Sequence, residues 1–391
     1  MLNTSLSPWP SYTDEEIAAV AQVLKSGKVN YWTGNESREF EREFAAYVGC
    51  AHAIALANGT LAIDLALRVL GIGAGHEVVV TPRSFLASAS SIVNAGAKPV
   101  FADVDPDTQN ITAATIEAVL TSETKAILCV HLAGQPCDMD PIMALADARG
   151  LYVIEDCAQA HGARYKGRHV GTIGHVGAWS FCQDKIMTTG GEGGMFTTND
   201  KSWWEAAWAY KDHGKSWAAV YETQHPPGFR WLHESFGTNW RITEMQSALG
   251  RIQLRNLDAW RARRQLLAAR LDAVASSFSS IRLAPLYPDI DHAKYKHYMF
   301  VRPEHLKPGL DRDAVVSRLV ERGVPCFQGS CSEMYLEKAF DGTGFRPANR
   351  LPVAKALGDT SMMFLVHPTL KDAEIDMVCQ VLREVLVEVT R

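Results

Sequence analysis

The chain has 391 residues, 47% of them apolar and 21% charged, with a formal net charge of −5. Those totals suit a globular protein of two domains, or one large domain with an appendage. No Lys/Arg run stands out and no apolar run is long enough to span a bilayer, so nucleic acid and membrane are poor partners.

The opening MLNTSLSPWPSYTDEE has neither a basic nor an apolar leader region, so no signal peptide and a cytoplasmic location are expected. TDEEIAAVAQVLKSG then reads as a helix. Thr13 and Glu16 form a capping box, Ile17, Val20, Ala21 and Leu24 mark one face, and Gly27 stops it. GNESREFEREFAAYVG is a second amphipathic helix. Short apolar runs follow at EVVVTP, AKPVFADVD, TKAILCVH, GLYVIEDCAQA, VGAWSF and GGMFTTND, with helix-like stretches such as TLAIDLALRVLG, SASSIVNAG and MDPIMALADARG between them. Strand then helix, repeated, predicts an α/β core with a mostly parallel sheet. Residues 211–237, rich in His, Trp, Pro and Gly, read as a long functional loop.

From about Arg251 the texture changes to a long helix rich in Arg and Leu. HYMFVRP and MMFLVHP read as strands, and the last helix carries Ile375, Val378, Cys379 and Leu382 on one stripe. The expected division is a large domain over 1–255 and a smaller α+β domain over 256–391. The eight cysteines form no C-x-x-C pair. They read as buried free thiols of a reducing compartment, and no ligand pair has zinc-site spacing, so no metal is expected.

One stretch stands apart, SFCQDKIMTTGGEGG, in which Lys185 is set among small and hydroxyl residues. A phosphate loop needs its lysine after the glycines, and here it precedes them. A lone lysine is ordinarily a surface residue, so the strand ends must supply company. Asn58-Gly59-Thr60 opens a helix whose free amides suit a phosphate, although a plain N-cap has the same look. Asp156 ends an apolar strand and Gln159 follows it; a buried carboxylate there wants a cation or a cap. Phe85, just past EVVV, suits a flat ring or the core. Ser180, at the end of VGAWS, suits a phosphate oxygen or a turn. Together they describe a phosphate, a flat ring, a ring nitrogen needing a carboxylate, and a carbonyl for an amine. That ligand is pyridoxal 5'-phosphate (PLP), with Lys185 as its Schiff-base lysine.

With NGTLAIDLAL, VVVTPRSFLASAS, HLAGQPCDMDPI, VIEDCAQAHGARYKG, GHVGAWSFCQDKIMTTGGEGGMFTTND and GTNWRITEMQSALGRIQL in this order, the chain resembles the DegT/DnrJ/EryC1/StrS sugar aminotransferases over nearly its whole length. The resemblance implies a fold type I PLP-transferase, with a mostly parallel sheet of the seven-stranded type and a smaller C-terminal α+β domain. It implies that Lys185 carries the cofactor, Asp156 pairs with the ring nitrogen, Gln159 touches the phenolic oxygen and Phe85 stacks on the ring. Gly59, Thr60 and Ser180 would hold the phosphate, as would Asn239 from a second subunit; Arg241, in the same string, has no assigned role. A homodimer with shared active sites follows from that.

The family's chemistry implies L-glutamate as donor and pyridoxamine 5'-phosphate during turnover. The implied acceptor is a nucleotide-linked keto-deoxy sugar aminated at C4, for a surface polysaccharide such as lipopolysaccharide. A dehydratase branch has His where Lys185 stands, which makes a PLP-dependent dehydratase or lyase the first alternative. A non-catalytic PLP-binding regulator is the second, and no stretch reads as a DNA-binding module. Residues 322–340 depart from the H-Y-P type string of many relatives and are expected to face the substrate.

Overall fold

The computed structural model describes residues 6–391; the first five residues of the stretch read for a leader lie outside it. Thr13 accepts from the Glu16 amide and Glu16 from the Thr13 amide, so the predicted capping box opens α1 (Asp14–Ser26), and Gly27 closes it at φ 68°. The apolar stripe of α1 is turned only partly inward, however: Val20 and Ala21 are half-buried, Ile17 and Leu24 are 59% and 57% exposed, and the buried residues are Glu16 and Val23. Glu16 sets this rotation, because its other oxygen accepts from Gln253 at 2.6 Å inside the protein.

There follow α2 (Glu36–Val48), β1 (His52–Leu56), α3 (Gly59–Val69), β2 (Glu77–Val80), α4 (Ala87–Asn94), β3 (Lys98–Phe101), α5 (Ala113–Glu117), β4 (Thr124–Val130), α6 (Met139–Arg149) and β5 (Tyr152–Asp156). A short hairpin, β6 (Arg164–Tyr165) and β7 (Arg168–His169), leads to β8 (Val176–Ser180), β9 (Gly194–Thr198) and α7 (Lys201–Lys211). Seven strands form one sheet in the order β1-β9-β8-β5-β4-β2-β3. Pairing is parallel from β8 through β3, and β9 runs antiparallel to both its neighbours. Helices cover the sheet, so β2, β8 and β9 are buried along their whole length, with polar residues only at their ends. The mixed α/β architecture and mostly parallel sheet are as expected.

The long helix α8 (Glu244–Ala275) starts seven residues before the predicted Arg251, at a Thr243/Gln246 capping box. Its first half packs on α1 and α2; Leu267, Leu271 and Val274 in its second half enter a separate core. That core lies against a four-stranded antiparallel sheet, β10-β12-β14-β13, built from β10 (Ile281–Leu283), β12 (His297–Val301), β13 (Cys326–Phe327) and β14 (Ser361–Phe364). β11 (Ile290–Asp291) pairs with β6 instead. Helices α9 (Arg312–Glu321), α10 (Pro352–Thr360) and α11 (Asp372–Val389) complete the chain, with Ile375, Val378 and Leu382 buried as the stripe predicts and Cys379 half-buried. The expected boundary at 255 therefore falls inside one continuous helix.

The base of the 211–237 loop is packed, with Trp217 against Trp204 and Trp208. Its tip projects Phe229, Trp231 and Phe236, 78%, 83% and 96% exposed. No helix among the described residues is long and apolar enough to cross a membrane. All eight cysteines are free, but only Cys129, Cys137, Cys157 and Cys326 are buried. Cys331 is exposed because it sits in the polar run GSCSE, not in a strand.

Candidate active site

A cavity of about 1140 Å³ lies beyond the carboxyl ends of β1, β2, β4, β5 and β8, walled on the far side by Tyr295, Lys296, Met363 and residues 327–331. Seven of the eight predicted residues line it: Gly59, Thr60, Phe85, Asp156, Gln159, Ser180 and Lys185. Asn239 does not. It is exposed, bridged to Asp212 on the strap that carries Arg241, whose guanidinium pairs with the buried Asp212 carboxylate.

Asn58 caps α3 by accepting from the Leu61 amide at 3.0 Å, which leaves the first helical amides facing the cavity without intrahelical acceptors. Gly59 is required here. A Cβ on it would stand 2.4 Å from Ser180 Cβ, so only glycine lets the helix start approach the end of β8. Phosphate oxygens suit such a helix start.

Asp156 ends β5. One carboxylate oxygen accepts from Ser88 Oγ at 2.8 Å and the other from the Ala158 amide at 3.1 Å. Burial raises its pKa above the ordinary range, and Ser88, Ala158 and the Lys185 ammonium offset this only in part. Its neighbour Glu155 points to the other face of the sheet. There it accepts from His131 Nε2 and from the amides of Gly171, Ile173 and Gly174. His131 Nδ1 accepts from the Cys137 amide, so Nε2 carries the proton. Burial pushes the Glu155 carboxyl up, but His131 and those amides hold it below the usual range. His131, Glu155 and Cys157 lie close enough to share an ion. The carboxylate is already fully engaged by protein donors.

Gln159 Oε1 accepts from the Ala133 amide at 2.8 Å, so its NH2 end is what it offers the cavity. Phe85 is 71% exposed, a bare aromatic face on the wall. Lys185 is fixed through its backbone: its carbonyl accepts from Trp9 Nε1 at 2.8 Å. Its amine stands 5.2 Å from the centre of the Tyr295 ring, whose hydroxyl donates to Asp184. Ser88, Trp9, Asp184, Tyr295 and Lys296 were not singled out in the sequence. Ser88 had a usable signal, since it stands one helical turn after Ser84 in the string that carries Phe85.

The Phe85 ring is bare, and the buried Asp156 carboxyl has only neutral donors within hydrogen-bond distance. A flat, cationic heterocycle suits both, the start of α3 accommodates a phosphate attached to it, and Lys185 meets a carbonyl. The residues therefore fit PLP. On this sheet, that places the protein among the PLP-dependent aminotransferases of fold type I. More narrowly, the chain belongs to the DegT/DnrJ/EryC1/StrS aminotransferase family, whose profile matches residues 10–383.

The chain is 36% identical over 370 residues to dTDP-3-amino-3,4,6-trideoxy-alpha-D-glucose transaminase of Streptomyces venezuelae, covering 95% of this chain and 92% of that protein. It is 33% identical over 376 residues to GDP-perosamine synthase of Escherichia coli O157:H7, covering 96% of each. A crystal structure of an aminotransferase from Psychrobacter cryohalolentis superposes with a TM-score of 0.97 at 60% identity, covering 98% of this chain and 99% of that one.

Proposed function

We propose that the enzyme moves an amino group from L-glutamate to the C4 keto group of a nucleotide-linked keto-deoxy sugar, for a surface polysaccharide such as lipopolysaccharide. The observation that carries this reading is that Lys185 and Asp156 line one cavity large enough for cofactor and sugar nucleotide together. The two relatives named above, one acting on a dTDP sugar and one on a GDP sugar by name, support the substrate class and leave the nucleotide open. The presence of Lys185, where the dehydrating branch has His, favours transamination over the lyase alternative.

PLP, when bound, takes up the electron pair released as a C–H bond next to nitrogen breaks. The chain's own residues do the rest. Lys185 Nζ accepts the proton from the donor carbon and returns one to the sugar carbon. Asp156, held by Ser88 and Ala158, keeps a negative charge against the ring nitrogen and so keeps that nitrogen protonated. Gln159 donates its NH2 to the ring oxygen, and Phe85 covers one face of the ring. Gly59, Thr60 and Ser180 hold the phosphate, and Asn239 reaches it from the partner of a homodimer.

The test is an absorption spectrum of the PLP-loaded protein before and after L-glutamate. The expected result is a visible band that fades as 2-oxoglutarate appears, with pyridoxamine 5'-phosphate left on the protein; Lys185→Ala should show neither the band nor turnover. A band that ignores L-glutamate removes that donor. Ammonia or water released without 2-oxoglutarate supports the lyase. NMR of the amino sugar decides between C3 and C4.

A further inference from the structure

Among the described residues, two cationic side chains line the cavity, Lys185 and Lys296, against four carboxylates, Asp156, Asp184, Glu192 and Glu337. Lys296 stands one residue before β12. Its ammonium is 4.7 Å from the centre of the Tyr295 ring that Lys185 also approaches, so the two nitrogens are at most about 10 Å apart. No hydrogen bond or ion pair engages it among the described residues, and Asp184, the acid that acts on its charge, is taken by the Tyr295 hydroxyl. Burial lowers its pKa to about 8, with Asp184 opposing and Arg264 and Lys185 reinforcing the shift.

The wall behind it is also positive. Arg264 is buried, bonded to the Tyr295 carbonyl, with Nε and Nη2 unpartnered. Buried cations without counter-charge are costly unless a ligand supplies one.

We propose that Lys296 is the anion-binding residue of this cavity: its ammonium takes a carboxylate or phosphate oxygen of a substrate whose reacting end meets Lys185. This rests on the transaminase reading above. The span between the two amines suits the distal carboxylate of a five-carbon diacid or the diphosphate of a sugar nucleotide.

The test uses PLP-loaded wild type, Lys296→Met and Lys296→Arg. Fading of the visible band is followed against L-glutamate and against L-alanine, which has no distal carboxylate. Binding of UDP, GDP and dTDP is measured separately by calorimetry, which needs no turnover. A charged hydrogen bond of this kind is worth roughly 10- to 100-fold in affinity.

If the donor is the source, Lys296→Met raises half-saturation by L-glutamate by that factor, leaves L-alanine unchanged, and Lys296→Arg recovers most of it. If the acceptor is the source, the nucleoside diphosphates weaken by that factor instead. No change in either arm overturns the proposal, as does an equal loss for L-glutamate and L-alanine that Lys296→Arg shares. If the wild-type band responds to no amino acid, the transaminase reading fails by itself, and the nucleoside diphosphate arm still decides on Lys296.

Discussion

Gly59→Ala tests the phosphate end of the site without relying on turnover. The backbone at Gly59 is helical, so alanine is not strained by φ, and the α3 start gains up to about 1 kcal/mol in helix propensity. The new Cβ, however, lies 2.4 Å from Ser180 Cβ and 2.9 Å from Ser180 Cα. Ordinary carbon contacts need roughly 3.5 Å or more, so the helix start must move by about 1 Å away from β8. Overpacking of this kind costs about 1–3 kcal/mol, which the propensity gain partly cancels. The net loss of stability should therefore be about 0–3 kcal/mol, and the protein should fold. PLP should bind about 10- to 100-fold more weakly, because the amides and the Thr60 hydroxyl no longer converge on one phosphate. Fluorescence titration with PLP reads this directly, with urea unfolding alongside. A folded Gly59→Ala protein that binds PLP within twofold of wild type would refute the assignment of this helix start to the phosphate.

Asp156→Asn should lower turnover on the order of 10²- to 10³-fold while PLP still binds, since a neutral amide does not hold the ring nitrogen protonated; a loss below tenfold would make Asp156 structural. Replacing Phe229, Trp231 and Phe236 with serine should leave unfolding unchanged, since all three are exposed, and raise KM for the sugar nucleotide about tenfold if the loop tip covers the cavity of a partner. An unchanged KM would remove the loop from the site. Burial holds His161 down to about 3, with Lys185 adding to the effect, and likewise His169 to about 4 and His367 to about 3. Each stays neutral in the fold but takes up a proton in the unfolded chain below about pH 6.5. The unfolded chain then binds more protons, so stability should fall as pH drops from about 6.5 towards 4. His161→Phe should recover about 2 kcal/mol of that loss at pH 5 in urea unfolding, relative to its own value at pH 7. An identical pH dependence in both proteins would count against the neutral, buried imidazole.

The parts of the fold that were legible are those where local chemistry and tertiary packing agree. The runs containing Val79, Ile127 and Ile154 were recognisable because strands covered on both faces admit little else. β1 gives little local signal: HAIAL has one β-branched residue, and its burial comes from β9 and α2 rather than from propensity. On α1 periodicity shows that a stripe exists, not which way it turns, and a buried Glu16–Gln253 bond decides that. In the site, residues at strand ends and next to glycines could be found from their order. Tyr295 and Lys296 could not, since they arrive from a bend before the distant strand β12, more than a hundred residues from Lys185. Asn239 is singled out by family resemblance alone; in this chain its position gives no hint of a role.

The 32 residues of α8 have a mechanical consequence. At 1.5 Å per residue the helix is about 48 Å long, and it contributes side chains to both cores without a break. A hinge needs a few residues able to absorb large changes in φ and ψ, and a continuous helix has none to give. The two sheets are thus joined by a stiff rod rather than a flexible link. Access to a cavity between them must come from the loops at its rim, such as residues 328–334, and substitutions that stiffen those loops should slow exchange of ligands while the angle between the sheets stays fixed.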